Sequence, residues 1–169
     1  MEPLGSGKRR ATQAEIRALA HPLRLRIIRL CLDRPLTNRQ VAQRLNEDAA
    51  TVLYHVRTLE RNGFLIRQAE RRGRRGAREI PYLSTRKSVS LDLGLGSGVD
   101  AAMLEATRDE VIEAGPGAVL AMSRLGIRLP PERVEEFEAR LESLVRDYAA
   151  AEDPDGEPVA LMVLLHRRP

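Results

Sequence analysis

Five arginines and two glycines fall within the eight residues from Arg71 to Arg78, between two short apolar segments, Phe64 to Arg67 and Ile80 to Leu83. A guanidinium stays charged at any working pH and presents a planar fork of donors that fits phosphate, so a cluster of them is chemistry suited to a polyanion. Gly73 and Gly76 can supply the positive φ angles that a hairpin turn demands. Arg71, Arg72, Arg74, Arg75 and Arg78 would then sit at the tip of a β-ribbon. A run of like charge is ordinarily a solvated surface; here its meaning depends on what precedes it.

Other chemistries find little support. The chain has one cysteine and three histidines, none of them close together in sequence, whereas borderline metal ions usually need several N or S ligands. Ser84, Ser88 and Ser90 have no histidine nearby, so no nucleophile and base pair is visible. Gly94, Gly96 and Gly98 form G-x-G-x-G, but the last spacing is wrong for a dinucleotide fingerprint and no βαβ unit surrounds it. That segment reads as a hinge. Neither catalytic residues, a metal nor a cofactor is expected.

The elements that would position the arginine run are legible in the apolar pattern. TQAEIRALA, from Thr12, reads as a short helix ended by the His21-Pro22 step, and a second helix restarts at Pro22 with Ile27, Ile28, Cys31 and Leu32 as its stripe. Thr37 with Gln40 three residues on forms a capping box for a helix burying Val41, Ala42 and Leu45. Asn46, Glu47 and Asp48 break it. Asp48 caps the next helix, which buries Val52, Val56 and Leu59 and closes at Asn62-Gly63. Two short helices joined by a few polar residues make a helix-turn-helix, and the ribbon directly behind it makes that winged.

Composition sets the frame. In 169 residues, 43% are hydrophobic but only 3% aromatic with no Trp, so aliphatic side chains must form the core and a helix-rich build is expected. Residues 1 to 98 hold 20 Lys or Arg against 9 Asp or Glu, and residues 99 to 169 hold 8 against 15, a split from +11 to −7. A basic front and an acidic back suit one face for phosphate and another for protein. A single cysteine fits a reducing cytosol, and no apolar run approaches the roughly 18 residues of a membrane span, so a cytoplasmic protein is expected.

Ala18 to Leu83 resembles the winged helix-turn-helix of the ArsR-like bacterial transcription regulators, through LAHPLRLRIIRLCLD, LTNRQVAQRL, ATVLYHVRTLERNGFLI and the arginine wing. One departure is Leu53, where that family usually carries a small polar residue; it would give apolar readout or turn into the core. The resemblance implies an α+β, mainly helical fold with a C-terminal extension for dimerisation. The expected domains are a flexible basic arm over 1–11, a DNA-binding domain over 12–85 and an α+β dimerisation or effector region over 86–169.

A recognition helix faces base edges with its N-terminal residues while phosphate contacts fix its register. The outward positions are read as Ala49, Thr51, Tyr54, His55 and Thr58, with Thr37, Asn38 and Arg39 placed near a phosphate at the preceding helix N-terminus. For His55 the competing reading is a histidine bonded within its own domain. Ile16 and Leu19 in the first helix are candidate dimer contacts. So are Val134, Phe137, Leu141, Leu144, Val145 and Tyr148, one stripe of an amphipathic helix beginning at Pro131, unless that stripe covers its own sheet.

Val99 to Ala114 reads as a helix with Met103, Ala106, Thr107 and Val111 on its less polar side, and PVALMVLLH as a buried strand pairing with Ser88 to Leu93. The function this supports is a homodimeric regulator of transcription that binds double-stranded operator DNA, with an unknown small-molecule effector left open. The alternatives are a winged-helix protein-interaction module and a small-molecule-sensing regulator with a pocket in residues 88–169.

Overall fold

The computed structural model describes residues 8–72, 78–94, 96–153 and 155–167. The element order is β1 (Arg9–Arg10), α1 (Gln13–Leu19), α2 (Pro22–Leu30), β2 (Leu36–Thr37), α3 (Asn38–Leu45), α4 (Ala49–Arg61), β3 (Leu65–Arg67), β4 (Arg71–Arg72), β5 (Arg78–Glu79), β6 (Pro81–Ser84), a 3-10 turn (Lys87–Ser90), β7 (Leu91–Asp92), α5 (Val99–Ala114) and α6 (Pro131–Ala150). Strands β2, β6 and β3 form an antiparallel sheet in that order, and β4 pairs with β5 beyond it as the wing. The chain divides into two units, one from Lys8 to Ala118 and one containing Val119 onward.

The first unit is a winged helix-turn-helix built on aliphatic side chains. Leu19, Ile27, Cys31, Val41, Val52, Val56, Leu59 and Phe64 are its largest fully buried residues together with Val99. Caps begin the helices where the sequence pattern places them. The Thr37 hydroxyl accepts from the Gln40 backbone N–H while the Gln40 side chain accepts from Thr37 N–H, and Asp48 Oδ1 accepts from Ala50 and Thr51 N–H. Gly63 takes φ +73° after α4. Asn46 ends α3 at φ 51°, a left-handed position that asparagine tolerates better than most residues.

Cys31 is fully buried at the end of α2, and its carbonyl accepts from Ser84 N–H of β6 at 2.8 Å. Burial pushes its thiol up to about 11.

One carboxylate joins distant parts of this unit. Glu15 lies buried on α1 and accepts from Arg9 Nη2 at 2.7 Å, Lys87 Nζ at 2.6 Å and Thr12 N–H at 2.8 Å. Lys87 Nζ also donates to the Asn62 carbonyl at the end of α4, at 2.7 Å, and lies 5.1 Å from the centre of the Phe64 ring. The Arg9 and Lys87 contacts, followed by the Thr12 N–H, hold the Glu15 carboxyl far below the usual carboxylate range.

Arg9–Arg10 form β1 and pair in parallel with β7, within the compact unit from Lys8 to Ala118. Several expectations about the later elements are corrected. Ser88 to Leu93 is a 3-10 turn and a two-residue strand, and its strand partner is β1. Pro158 to His166, read as its buried partner strand, is exposed and carries no regular element. On α5 the buried residues are Val99, Ala102 and Ala106, while Met103 and Val111 are exposed. Small side chains there admit α2 closely, and Arg26 and Arg29 of α2 pair with Asp109, Glu113 and Glu110 across the contact.

Leu19, a candidate dimer contact, is fully buried in its own core, and Ile16 packs against that core. In the second unit α6 spans 20 residues with none buried, and no strand occurs among the described residues from Val119 on. Among the described residues of this unit there is no sheet for α6 to cover.

Because the folded Glu15 pKa is depressed, its stabilisation is complete above the unfolded value of about 4.3 and is lost as the pH falls from there toward the folded one. Glu15→Gln is expected to lower the unfolding free energy at neutral pH by about 2 kcal/mol and to flatten the acid branch of stability between about pH 5 and pH 2. Urea denaturation at a series of pH values checks this, and an acid branch of unchanged slope would refute it.

Candidate nucleic-acid interface

The core stripe of α4 dictates what faces outward. Successive helical residues are about 100° apart, so the ridge opposite Val52, Val56 and Leu59 consists of Ala50, Tyr54, Arg57 and Arg61, flanked by Thr51 and Thr58 on one side and Leu53 on the other. Tyr54 is 63% exposed. Arg57 is also exposed. Arg61 donates to the Arg57 carbonyl at 3.3 Å and to the Thr58 hydroxyl at 3.5 Å, and Thr58 donates to the Tyr54 carbonyl at 3.0 Å. Ala49 and Thr51 are exposed at the helix start. Leu53 is half-buried, neither in the core nor fully offered to a groove.

His55 departs from expectation. It is only 7% exposed, with its ring 4.6 Å from that of His21 and 5.2 Å from that of Tyr54, and its Nδ1 is buried without a partner among the described residues. The residue stands at the margin of the core stripe, one position round from Tyr54, so it turns toward α2. Burial, then His21 and Arg24, lowers its pKa to about 4. It is neutral at physiological pH and lies off the exposed outer ridge.

At the start of α3 only part of the expected trio is free. Thr37 is buried in its capping box, and Asn38 donates to the Ala49 carbonyl at 2.8 Å, tying the beginning of α3 to the beginning of α4. Arg39 is exposed. Thr37 and Asn38 therefore orient the two helices, while Arg39 remains available to a phosphate.

The wing arginines are spread along the ribbon. Arg71 of β4 pairs with Glu79 at 3.6 Å and reaches Gln40 of α3 at 3.4 Å, and Arg78 of β5 pairs with Glu70 at 3.2 Å. Solvent-exposed pairs of this kind contribute about 0 to 1 kcal/mol, so they organise the guanidinium groups without locking them. Arg72 is exposed and has no carboxylate partner among the described residues. Arg74 and Arg75, with Gly73 and Gly76, lie outside the described residues.

Ala50, Arg57 and Arg61 were not singled out from sequence, although the signal was present. Counting from the helix start selects Ala49, Thr51 and His55; counting from the point opposite Val52, Val56 and Leu59 selects the ridge.

Residues 19–68 match the model of a family described as a helix-turn-helix domain. The chain carries a winged helix-turn-helix. The match runs from the end of α1 to just beyond β3 and so contains both helices of the motif and the first strand of the ribbon. No curated protein matches the chain. Among solved structures, a mutant of S. aureus MepR bound to an oligodeoxyribonucleotide is 17% identical, covering 81% of this chain and 79% of that chain at a TM-score of 0.32. MepR from S. aureus, described as a transcription regulator of the multidrug efflux pump MepA, is 17% identical over the same shares at a TM-score of 0.29.

A histidine whose folded pKa is depressed loses stability as the pH falls from its unfolded value of about 6.5. Ring-proton shifts in an NMR titration are expected to show His55 titrating near the folded value of about 4. A midpoint in the ordinary histidine range would show that the ring is solvated.

Proposed function

We propose that the protein is a sequence-specific, double-stranded DNA-binding regulator of transcription that acts as a homodimer in the cytoplasm. The observation that carries this reading is the outer ridge of α4. Tyr54, Arg57 and Arg61 stand opposite a fully apolar stripe on a helix that α3 and its caps hold in place. Tyr54 and Thr51 offer hydrogen bonds and apolar surface to base edges, and Arg57 can present its fork to a guanine or a phosphate. The wing arginines, including Arg74 and Arg75, would meet the adjoining backbone or minor groove, where affinity depends on counterion release.

The ArsR-like reading belongs here as well. It rests on the order of LAHPLRLRIIRLCLD, LTNRQVAQRL and ATVLYHVRTLERNGFLI before the wing. No helix is long and apolar enough to cross a membrane among the described residues.

One module reads few base pairs, so useful specificity asks for two modules on half-sites about 34 Å apart. The α6 stripe of Val134, Phe137, Leu141, Leu144, Val145 and Tyr148 has no buried member, which supports a second copy as its cover. The exposed Met103, Leu104, Val111 and Ile112 of α5 support the same reading. An effector, if one acts, would work through this C-terminal region.

Selection of bound fragments from random DNA is expected to return a two-fold symmetric site whose affinity falls steeply with salt. Tyr54→Ala should cost about 1–3 kcal/mol and relax preference at one position, whereas Arg72→Ala should weaken all sequences alike and reduce the salt slope by about one. Binding that is absent, or indifferent to ionic strength, refutes the proposal.

A further inference from the structure

Several arginines of the Lys8–Ala118 unit, among them the half-buried Arg26, meet a carboxylate. Arg26 meets Asp109 and Glu113, Arg29 meets Glu110, and Arg67 meets Glu60. Arg24 does not. It is half-buried in the first turn of α2, at the positive end of that helix, and its Nε is buried with no partner among the described residues.

Its neighbours add positive potential. His21 caps α2, its ring touches that of the buried His55, and His55 Nδ1 is likewise unpartnered. Arg24 lies near enough to lower the pKa of both histidines and to interact with Tyr54. Glu105 of α5 and Glu47 of the α3–α4 turn act on His21 more weakly than burial and Arg24 do, and in the opposite sense.

Arg24 is thus a partly desolvated guanidinium at the positive end of a helix, beside two imidazoles that are neutral at physiological pH, and an anion would balance its charge. The leading amides of α2 are already used, since Leu23 N–H donates to His21 Nδ1 and Arg24 N–H to the His21 carbonyl. Side chains must therefore hold that anion. The bond from Leu23 makes His21 Nδ1 an acceptor, which leaves Nε2–H free to donate.

We propose that Arg24, His21 and His55 form a phosphate-binding notch beside Tyr54 that takes a phosphodiester group of the DNA backbone next to the bases α4 reads. Arg24 supplies the charge and His21 Nε2–H a neutral donor, while the buried His55 ring backs that of His21. The proposal rests on the DNA-binding reading above and adds a phosphate contact on α2, apart from the wing and from α3.

Two measurements on the full chain test it. In the first, the salt dependence of duplex affinity is compared for wild type, Arg24→Gln, Arg24→Lys and Arg108→Gln, the last being an exposed α5 arginine paired with Asp109. Arg24→Gln is expected to bind about three- to tenfold more weakly with a slope smaller by about one, Arg24→Lys to recover the slope, and Arg108→Gln to match wild type. In the second, inorganic phosphate is titrated into the free protein while the His21 and His55 ring protons are followed by NMR, with chloride at equal ionic strength as the reference.

A saturable phosphate shift, lost in Arg24→Gln and accompanied by the slope change, supports the notch. A phosphate shift with an unchanged slope overturns the backbone as its source, and no shift with an unchanged slope overturns the site. A wild type that binds no duplex but keeps the phosphate shift overturns the regulator reading and the backbone source with it.

Discussion

The placement of α4 depends on one buried carboxylate. Glu15 gathers Arg9, Thr12 and Lys87, and Lys87 reaches on to the carbonyl of Asn62, which caps α4, and over the ring of Phe64. A helix C-terminus carries partial negative charge, so an ammonium there is favourable in itself. Holding that ammonium on a second, desolvated partner makes the arrangement directional as well. The start of the domain, the end of α4 and the chain leaving the wing are thereby fixed to one point.

The distribution of arginine shows how a chain so rich in it stays folded. On α2 the guanidinium groups facing α5 meet Asp109, Glu110 and Glu113, so part of the acidic back half works as an internal counterion. The charges therefore do not divide simply into a basic face and an opposing acidic one. Along the ribbon Glu70 and Glu79 hold Arg78 and Arg71 loosely, at distances a phosphate oxygen could easily better. Arg57, Arg72 and Arg39 keep no carboxylate among the described residues, and they lie on the elements that the DNA-binding reading places against the duplex.

The helix-turn-helix was legible because its signals are local. Capping residues at Thr37 and Asp48, the apolar spacing of Val52, Val56 and Leu59, and Gly63 after the helix each act within a turn or two of chain. What escaped depends on tertiary contact. His55 is buried by His21, thirty-four positions earlier, and no periodicity within α4 could announce that neighbour. The pairing of Arg9–Arg10 with Leu91–Asp92 is longer in range still. Pro158 to His166 has the composition of a central strand, but strand formation needs a partner edge, and the described residues from Val119 on contain none. The outer face of α4 was half legible for the same reason: the exposure of Tyr54 and Thr51 followed from position along the helix, while that of Arg57 and Arg61 required knowing which side was covered.

Cys31 shows a further consequence of how tightly this domain closes around its second helix. Its sulfur is shut away among aliphatic neighbours, and the thiolate, the form that attacks peroxide or an alkylating reagent, is scarce at neutral pH. The Cys31 thiol of the folded domain is therefore shielded from oxidants that would modify an open one, and cross-linking through it would report that the fold had opened.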